Sequence, residues 1–291
     1  QIPIIYSFVE KTLKGEFWIF IGTDQSYDLL NKELMWSKKN IQMIHEDINI
    51  NFKDNKFNQV DGIIFDKFND LEITNLDKYI EFLNKGKEII SLQKFCELNL
   101  QRFPPEIISN EFFLKGKFSI AYNSYQLRMK RAADIILSFV LLFFTFPILI
   151  FFSILIILED KGTFLYSQER VGFKQKIFTM YKLRTMKQNA EKGIPQWSTK
   201  SDNRITNIGN FLRKTRLDEL PQLISVIKGD MSLIGPRPER QVFDNELKKI
   251  IPYYDYRYSI KPGLSGWAQV NFPYGSSLED SKKKFSYDLY Y

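Results

Sequence analysis

The run IILSFVLLFFTFPILIFFSILIIL, Ile135 to Leu158, constrains this chain more than any other stretch. It carries no charge and no polar face, and it is long enough to cross a bilayer, which takes about 20 residues. A buried core helix of a large soluble domain is the competing reading, and the absence of a polar face weighs against it. Pro147 stands near the middle, where it removes a backbone donor and clashes with the preceding turn, so a bend is expected there. If the helix spans, its two flanks lie on opposite sides; if it turns back at Pro147, both lie on one side. Lys115, Lys117, Arg128, Lys130 and Arg131 precede the run, and Lys161, Arg170, Lys174, Lys176, Lys182 and Arg184 follow it. The positive-inside rule places such clusters in the cytoplasm. The paired basic flanks therefore favour a re-entrant helix broken at Pro147, with Ser138, Thr145 and Ser153 available to satisfy freed backbone groups.

A chain of 291 residues has room for about two domains. Its 41 Lys and Arg against 34 Asp and Glu give a formal charge of +7, which suggests an anionic partner such as phosphate, lipid headgroup or nucleic acid. No recognisable nucleic-acid module accompanies that charge, so nucleic acid is not expected as a partner. A single cysteine, Cys96, excludes an intramolecular disulfide and a cysteine metal cluster and fits a reducing compartment. A single histidine, His45, leaves little material for histidine-based zinc sites or Ser-His-Asp hydrolysis. Acid–base and nucleophilic chemistry fall to carboxylates. The chain starts at Gln1 with no basic leader before an apolar core, so no signal peptide is visible and a trimmed N-terminus is expected.

Before the apolar run, short apolar strands alternate with amphipathic helical stretches: FWIFIG at 17, SYDLLNKELM at 26, DGIIFD at 61, LDKYIEFLNKG at 76 and EIISL at 88. That alternation reads as α/β with a parallel sheet. The turn after the first strand, GTDQSYDLL, lacks the G-x-G-x-x-G that brings backbone amides onto a pyrophosphate. A structural, regulatory or dimerising role is expected instead of dinucleotide binding, and LQRFPPEIISNEFFLKGKF, Leu100 to Phe118, reads as the linker to the membrane.

After the run, basic and polar clusters are separated by apolar stretches. YKLR puts Lys182 and Arg184 on one side of a strand, although a solvated edge strand reads the same way. GPRP holds Arg237 between two prolines, a stiff turn suited to aiming a guanidinium at a phosphate and equally suited to an ordinary surface turn. In RLDELPQL, Asp218 and Glu219 read either as a solvated helix face or as a site. Pro221 lies just beyond them, where it starts or kinks a helix, and Arg213, Lys214, Arg216 and Lys228 crowd the same stretch. Carboxylates beside phosphate-attracting cations next to a membrane suggest Mg²⁺, commonly held by one or two carboxylates plus substrate phosphates. No Asp-x-Asp lies near the basic clusters, which weakens a metal-dependent glycosyltransferase reading.

From KRAAD at Lys130 to Tyr291, the Pro-broken apolar helix, QERVGFKQKIFTMYKLRTM, RLDELPQL, KGDMSLIGPRP and KPGLSGWAQVN follow in an order that resembles the monotopic phosphoglycosyl transferases. These are the bacterial polyprenyl-phosphate sugar-phosphate transferases that begin exopolysaccharide, capsule and O-antigen assembly. The α/β segment also looks like the cytoplasmic domain of the family's larger members, whose transmembrane helices do not precede it here. The tail NFPYGSSLEDSKKKFSYDLYY resembles an exopolysaccharide-export branch and replaces the Gly-Arg that many small members carry after AQVN. The family pattern continues beyond DLYY, which implies an incomplete C-terminus.

The resemblance implies a Rossmann-like parallel α/β regulatory or dimerisation domain over 1–119 and a linker and interfacial segment over 120–133. A re-entrant membrane helix over 134–158 and a mixed, mainly helical catalytic domain over 159–291 follow. It implies transfer of a sugar 1-phosphate from a UDP-sugar to undecaprenyl phosphate with release of UMP, on the cytoplasmic face of the bacterial inner membrane, by a chain that pairs as a homodimer. Asp218 matches the family nucleophile and serves as the Mg²⁺ ligand, with Glu219 its partner in the dyad. Lys182, Arg184, Arg237, Arg170 and Gln222 match positions that bind the donor's phosphates and nucleotide. A membrane-anchored scaffold without catalytic activity is the alternative.

Overall fold

The computed structural model describes residues 15–37, 39–46, 59–67, 76–108, 124–188, 190, 202–272 and 277–291. The chain divides into two compact units, 1–103 and 104–289. The boundary expected at 119, most of the linker reading, and Lys115 and Lys117 lie outside the described residues.

The N-terminal unit is a four-stranded parallel sheet in the order β2-β1-β3-β4, formed by β1 (Glu16–Ile21), β2 (Ile41–Glu46), β3 (Gly62–Phe65) and β4 (Glu88–Ser91). β1 and β3 are central, and their apolar runs are buried on both faces, as parallel strands under helices require. Strand β2 was not among the expected strands: IQMIHE alternates apolar and polar residues because it lies at the sheet edge, and so lacks the apolar run that marks the central strands. Helix α1 (Asp24–Trp36) follows β1, α2 (Leu76–Asn84) precedes β4, and the short α3 (Leu92–Phe95) follows it. Ile19, Ile21, Val60, Ile63, Tyr79 and Phe82 form one core cluster. Trp18 meets Phe95 edge to face at 5.2 Å. It lies so close over Gly62 that a Cβ there would fall 2.3 Å from the indole. At the C-terminal end of β3, Asp66 accepts hydrogen bonds from Ser26 Oγ (2.7 Å) and Thr23 Oγ1 (3.4 Å), so a carboxylate of the chain itself stands at the start of α1.

The second unit opens with helix α4 (Tyr125–Asp160), 36 residues long. By length and composition it is able to cross a membrane, and almost none of its apolar stretch is covered by protein. The helix runs on through Pro147 without leaving the helical conformation, so the expected break is not a gap in the helix. One missing donor removes one rung of a long ladder, a loss the remaining turns absorb. The hydroxyls of Thr145 and Ser153 bond to the carbonyls four residues earlier, Leu141 and Leu149, each at 2.7 Å, while that of Ser138 is buried without a partner.

Both ends of α4 are tied to the rest of this unit. Near its start, Arg131 donates to the carbonyls of Val226 (2.6 Å) and Ile227 (2.8 Å), at the C-terminal end of the helix Gln222–Lys228. Asp134 accepts from Ser232 Oγ (2.8 Å) and from the Leu233 amide (3.2 Å), and Lys130 reaches the Ile234 carbonyl at 3.2 Å. Near its end, Ile156 packs with Leu183 and Leu212, Phe152 stacks on Phe211 at 5.6 Å, and Glu159 accepts the Asn207 amide at 3.0 Å, at the start of the helix Asn207–Thr215.

Between these attachments, β5 (Leu165–Val171) and β6 (Ile177–Leu183) form an antiparallel hairpin, followed by α5 (Asn207–Thr215) and α6 (Gln222–Lys228). Strand β7 (Ser232–Ile234), α7 (Gln241–Ile250), β8 (Gly263–Ser265), α8 (Trp267–Asn271) and α9 (Leu278–Tyr290) complete the unit. β7 and β8 are parallel, with Gly263 opening β8 and Gly235 immediately following β7. A Cβ on Gly263 would sit 2.1 Å from the Gly235 nitrogen, so the two backbones approach as only glycine allows.

Candidate active site

Asp218 and Glu219 lie on a single 3₁₀ turn, Leu217–Glu219, between α5 and α6. Arg216, in the left-handed region at φ 61°, ends α5 and turns the chain into it. Pro221 stands immediately before the first residue of α6, a position where its missing donor costs nothing. Both carboxylates are buried, each 7% exposed, which removes the solvated-face reading.

The two differ in their partners. Glu219 accepts a two-pronged contact from Arg237, Nη2 to Oε1 at 2.7 Å and Nη1 to Oε2 at 3.3 Å, and a third bond from Lys182 Nζ at 3.1 Å. Arg216 lies 3.6 Å away. Burial alone would raise the Glu219 carboxyl, yet Arg237 and Lys182 hold it well below the usual carboxylate range. Asp218 has no such company: its Oδ1 is buried and accepts no hydrogen bond. Burial pushes the Asp218 carboxyl up, with Lys182 opposing and Glu219 adding to the shift. The Nε2 of Gln222 is a second buried polar atom without a partner, on a residue only 1% exposed. Buried polar atoms are rarely left unpaired, so an acceptor and a donor in this state four residues apart mark this turn as a candidate binding position.

Lys182 occupies the last inward position of β6, on the face that buries Phe178 and Met180 against Val226 of α6. Burial, reinforced by the charge of Arg237 and opposed by Glu219, pulls its ammonium down to about 8. The strand ends at Leu183, so the period-two argument stops there. Arg184 points instead to Asp160 at the end of α4, 3.7 Å away, and is not brought to the dyad. Arg170 also stands apart from the dyad. Its Nη1 donates to the Pro238 carbonyl at 3.0 Å, so it braces the turn that carries Arg237. Of the four cations crowding the dyad in sequence, Arg216 alone is paired with it. Arg213 bonds to Thr185 (2.8 Å), and Lys228 lies over the Tyr181 ring.

Among the described residues, no cluster of three or more His, Cys, Asp or Glu side chains is arranged to hold a metal. The unpartnered Asp218 Oδ1 is a carboxylate oxygen able to serve as one ligand of a cation such as Mg²⁺, which is commonly held by one or two carboxylates together with substrate phosphates. Glu219 is saturated by cations. The sequence reading missed Arg257, whose Nη2 donates to the Arg237 carbonyl at 2.6 Å, and Asp288, 3.4 Å from the same nitrogen. Their contacts join residues 20 and 31 apart, and nothing local in YDYRYS announces them.

The bacterial sugar transferase family matches residues 125–291, more than half of the chain and all of this site. The chain belongs to that family. Among its relatives is the UDP-N-acetylgalactosamine-undecaprenyl-phosphate N-acetylgalactosaminephosphotransferase of Aeromonas hydrophila, 42% identical over 163 residues, 56% of this chain and 38% of that protein. The UDP-glucose:undecaprenyl-phosphate glucose-1-phosphate transferase of Escherichia coli (strain K12) is 38% identical over 165 residues, 56% of this chain and 36% of its own length. A Bacillus subtilis (strain 168) protein with the provisional name undecaprenyl-phosphate N-acetylgalactosaminyl 1-phosphate transferase is 46% identical over 153 residues, 52% of this chain and 86% of that protein. This bacterial sugar transferase thus matches little more than a third of the length of the Aeromonas and Escherichia relatives. The residues that the family model matches, 125–291, lie almost wholly in its second unit.

Proposed function

We propose that the chain transfers a sugar 1-phosphate from a UDP-sugar to undecaprenyl phosphate and releases UMP, in two displacements through a covalent sugar-phosphate on Asp218. The observation that carries this reading is the contrast within the dyad: a buried carboxylate oxygen with no partner beside one that gathers the cations.

In the first displacement an Asp218 oxygen attacks the sugar-proximal phosphorus. The bond from that phosphorus to the bridging oxygen breaks, and UMP leaves with the oxygen and its electron pair. In the second, an oxygen of the polyprenyl phosphate attacks the same phosphorus and the Asp218 carboxylate departs, leaving the sugar on a lipid diphosphate. Division in two spares the site from holding both phosphate substrates at once, whose like charges repel. Glu219 keeps Lys182 and Arg237 converged while no donor is bound, and the donor's phosphoryl oxygens then compete for the same N–H groups. Mg²⁺ on Asp218 and the donor diphosphate would neutralise charge on the leaving group.

We read α4 as re-entrant, entering and leaving the cytoplasmic face of the inner membrane. Its start is bonded to β7 and α6 and its end to β6 and α5, and α6 packs on β6 in one unit. A helix crossing a hydrocarbon layer about 30 Å thick would carry those partners to opposite faces. With Cys96 replaced by Ser, single cysteines at Gln126 and Lys161 should both label from the cytoplasm; labelling from opposite sides overturns the topology. The order of the parallel sheet supports a Rossmann-like reading of the N-terminal unit as a regulatory or homodimerising element.

The test of the reaction incubates the full-length protein with Mg²⁺ and a panel of UDP-sugars without lipid acceptor. UMP release with a sugar-phosphate adduct in the intact mass supports it. UMP formation that requires polyprenyl phosphate, with no adduct, favours a ternary complex, and no UMP from any donor under either condition favours a non-catalytic scaffold.

A further inference from the structure

The segment Gly235 to Arg240 carries Arg237 between two prolines and has no regular secondary structure. Prolines donate nothing, so such a segment is held chiefly through its acceptors. Four consecutive carbonyls each accept one bond: Pro236 from the Gly263 amide (2.9 Å), Arg237 from Arg257 (2.6 Å), Pro238 from Arg170 (3.0 Å) and Glu239 from the Val171 amide (3.0 Å). Two come from neighbouring backbones, at the start of β8 and the end of β5. The other two come from arginine side chains.

We propose that Arg257 and Asp288 are positioning residues for Arg237, so that the C-terminal helix α9 sets the aim of the guanidinium that faces the donor's phosphates. The proposal rests on the reaction given above and adds to it a second group of residues with no place in the chemistry. Arg257 and Asp288 side chains are 7% and 5% exposed. The guanidinium lies 4.8 Å over the Tyr254 ring and bonds its hydroxyl, and Tyr254 in turn packs on Phe285 of α9 at 5.1 Å. One face of Arg257 thus reads the position of α9 while Nη2 grips the Arg237 carbonyl. A buried ion pair contributes little net stability, since desolvation offsets its attraction, and such a pair fits a role in fixing geometry. Asp288 and Phe285 lie in the tail that departs from the family's Gly-Arg pattern, and through Arg257 that tail supplies order to the phosphate-binding turn from outside the site.

The test measures UMP release by the full-length protein, with the donor that the wild type uses, for Asp288→Asn, Asp288→Glu and Arg257→Lys, alone and combined with Arg237→Ala. Misplacing a binding group by about 1 Å is enough to cost roughly 100-fold. Asp288→Asn and Arg257→Lys should therefore each lower kcat/KM roughly 10- to 100-fold, with Asp288→Glu recovering part of the loss. In the Arg237→Ala background the same changes should alter the rate less than about threefold, because the residue they position is gone. Equal losses in both backgrounds, or no loss in either, overturn the proposal. Failure of both Asp288→Asn and Arg257→Lys to fold, seen as a lost thermal transition, also overturns it, since the pair would then be holding the fold. A wild type that releases no UMP from any donor instead overturns the reaction, and the purpose assigned to the pair with it.

Discussion

Asp66 and Asp218 are both aspartates placed near the start of a helix, one in each unit, and they are in opposite states. Asp66 accepts from two hydroxyls at the first turn of α1, where an anion is favoured by the helix dipole, and the place a bound phosphate would occupy is filled by the chain itself. Asp218 is buried one turn before α6 with an oxygen that nothing in the protein satisfies, while the cations around it are held on its neighbour. A capping carboxylate and a reactive one are thus told apart by their hydrogen-bond accounts, since both sit at helix starts in α/β surroundings.

The sharpest way to break the comparison is to make the same change at both. Asp218→Asn keeps shape and removes the nucleophile, so UMP release should fall on the order of 10⁴-fold and the covalent adduct should vanish. Asp66→Asn keeps an acceptor for Ser26 and should leave UMP release within about threefold. Comparable losses at both positions would show that the free oxygen of Asp218 has no special standing.

Next in size is Glu219→Gln. The three cations around it lose their counter-charge and repel one another, and the bidentate clasp on Arg237 becomes a single acceptor and a clashing donor. A loss of roughly 100- to 1,000-fold in kcat/KM is expected, with Asp218 still intact, so adduct should accumulate slowly instead of disappearing. Complete absence of adduct after long incubation would assign Glu219 to the bond-making step itself.

A smaller effect comes through pH. Lys182 has its ammonium depressed to about 8, so it sheds its charge as pH rises through that value and the donor's phosphates lose one cation. The kcat/KM for UMP release, which reports the free enzyme, should fall above pH about 8, and Lys182→Arg should carry the plateau to higher pH. The linkage to stability has the opposite sense. Between about 8 and its ordinary value the unfolded chain binds the proton that the folded chain has released, so this group makes folding more favourable as pH rises through that window. An identical alkaline limb in Lys182→Arg would remove Lys182 from the profile.

Much of this arrangement was legible in the residues, and the reasons are local. The apolar run, the central strands β1 and β3 and Pro221 are short-range patterns whose apolar character or turn chemistry is written in adjacent positions, whereas the dyad stands out by its neighbouring cations, which leave its burial open. Strand periodicity puts Lys182 and Arg184 on one side without fixing which way that side faces; the inward turn of Lys182 comes from packing against α6, and the strand ends one residue before Arg184. Strand β2 escaped because an edge strand need not be apolar throughout. Arg170 and Gln222 were picked out on the family pattern, and the geometry separates them: Arg170 braces the Pro238 carbonyl, while Gln222 presents an unpartnered amide near the dyad. Arg257, Asp288 and the ties of Arg131 and Asp134 to α6 and β7 depend on contacts 20 to 99 residues apart, which no spacing rule reaches.

The smallest expected effect tests the quiet half of the comparison. If Asp66 serves only to cap, Asp66→Ala removes an acceptor for Ser26 and Thr23 and an anion from the start of α1, a loss of about 1 kcal/mol. For a unit of this size that is a fall of roughly 4–8 °C in its thermal transition, read in the full chain by near-ultraviolet dichroism or differential scanning calorimetry. UMP release at 25 °C should be unchanged. Because Asp66 already occupies the helix start and the Gly22-Thr23 turn lacks the further glycines that admit a pyrophosphate, neither the wild type nor Asp66→Ala should bind NAD in calorimetry. Micromolar NAD binding by the wild type would mean that Asp66 moves aside for a ligand, and the satisfied carboxylate would then mark a site after all. Binding that appears only in Asp66→Ala would show instead that the carboxylate is what keeps the anion position closed.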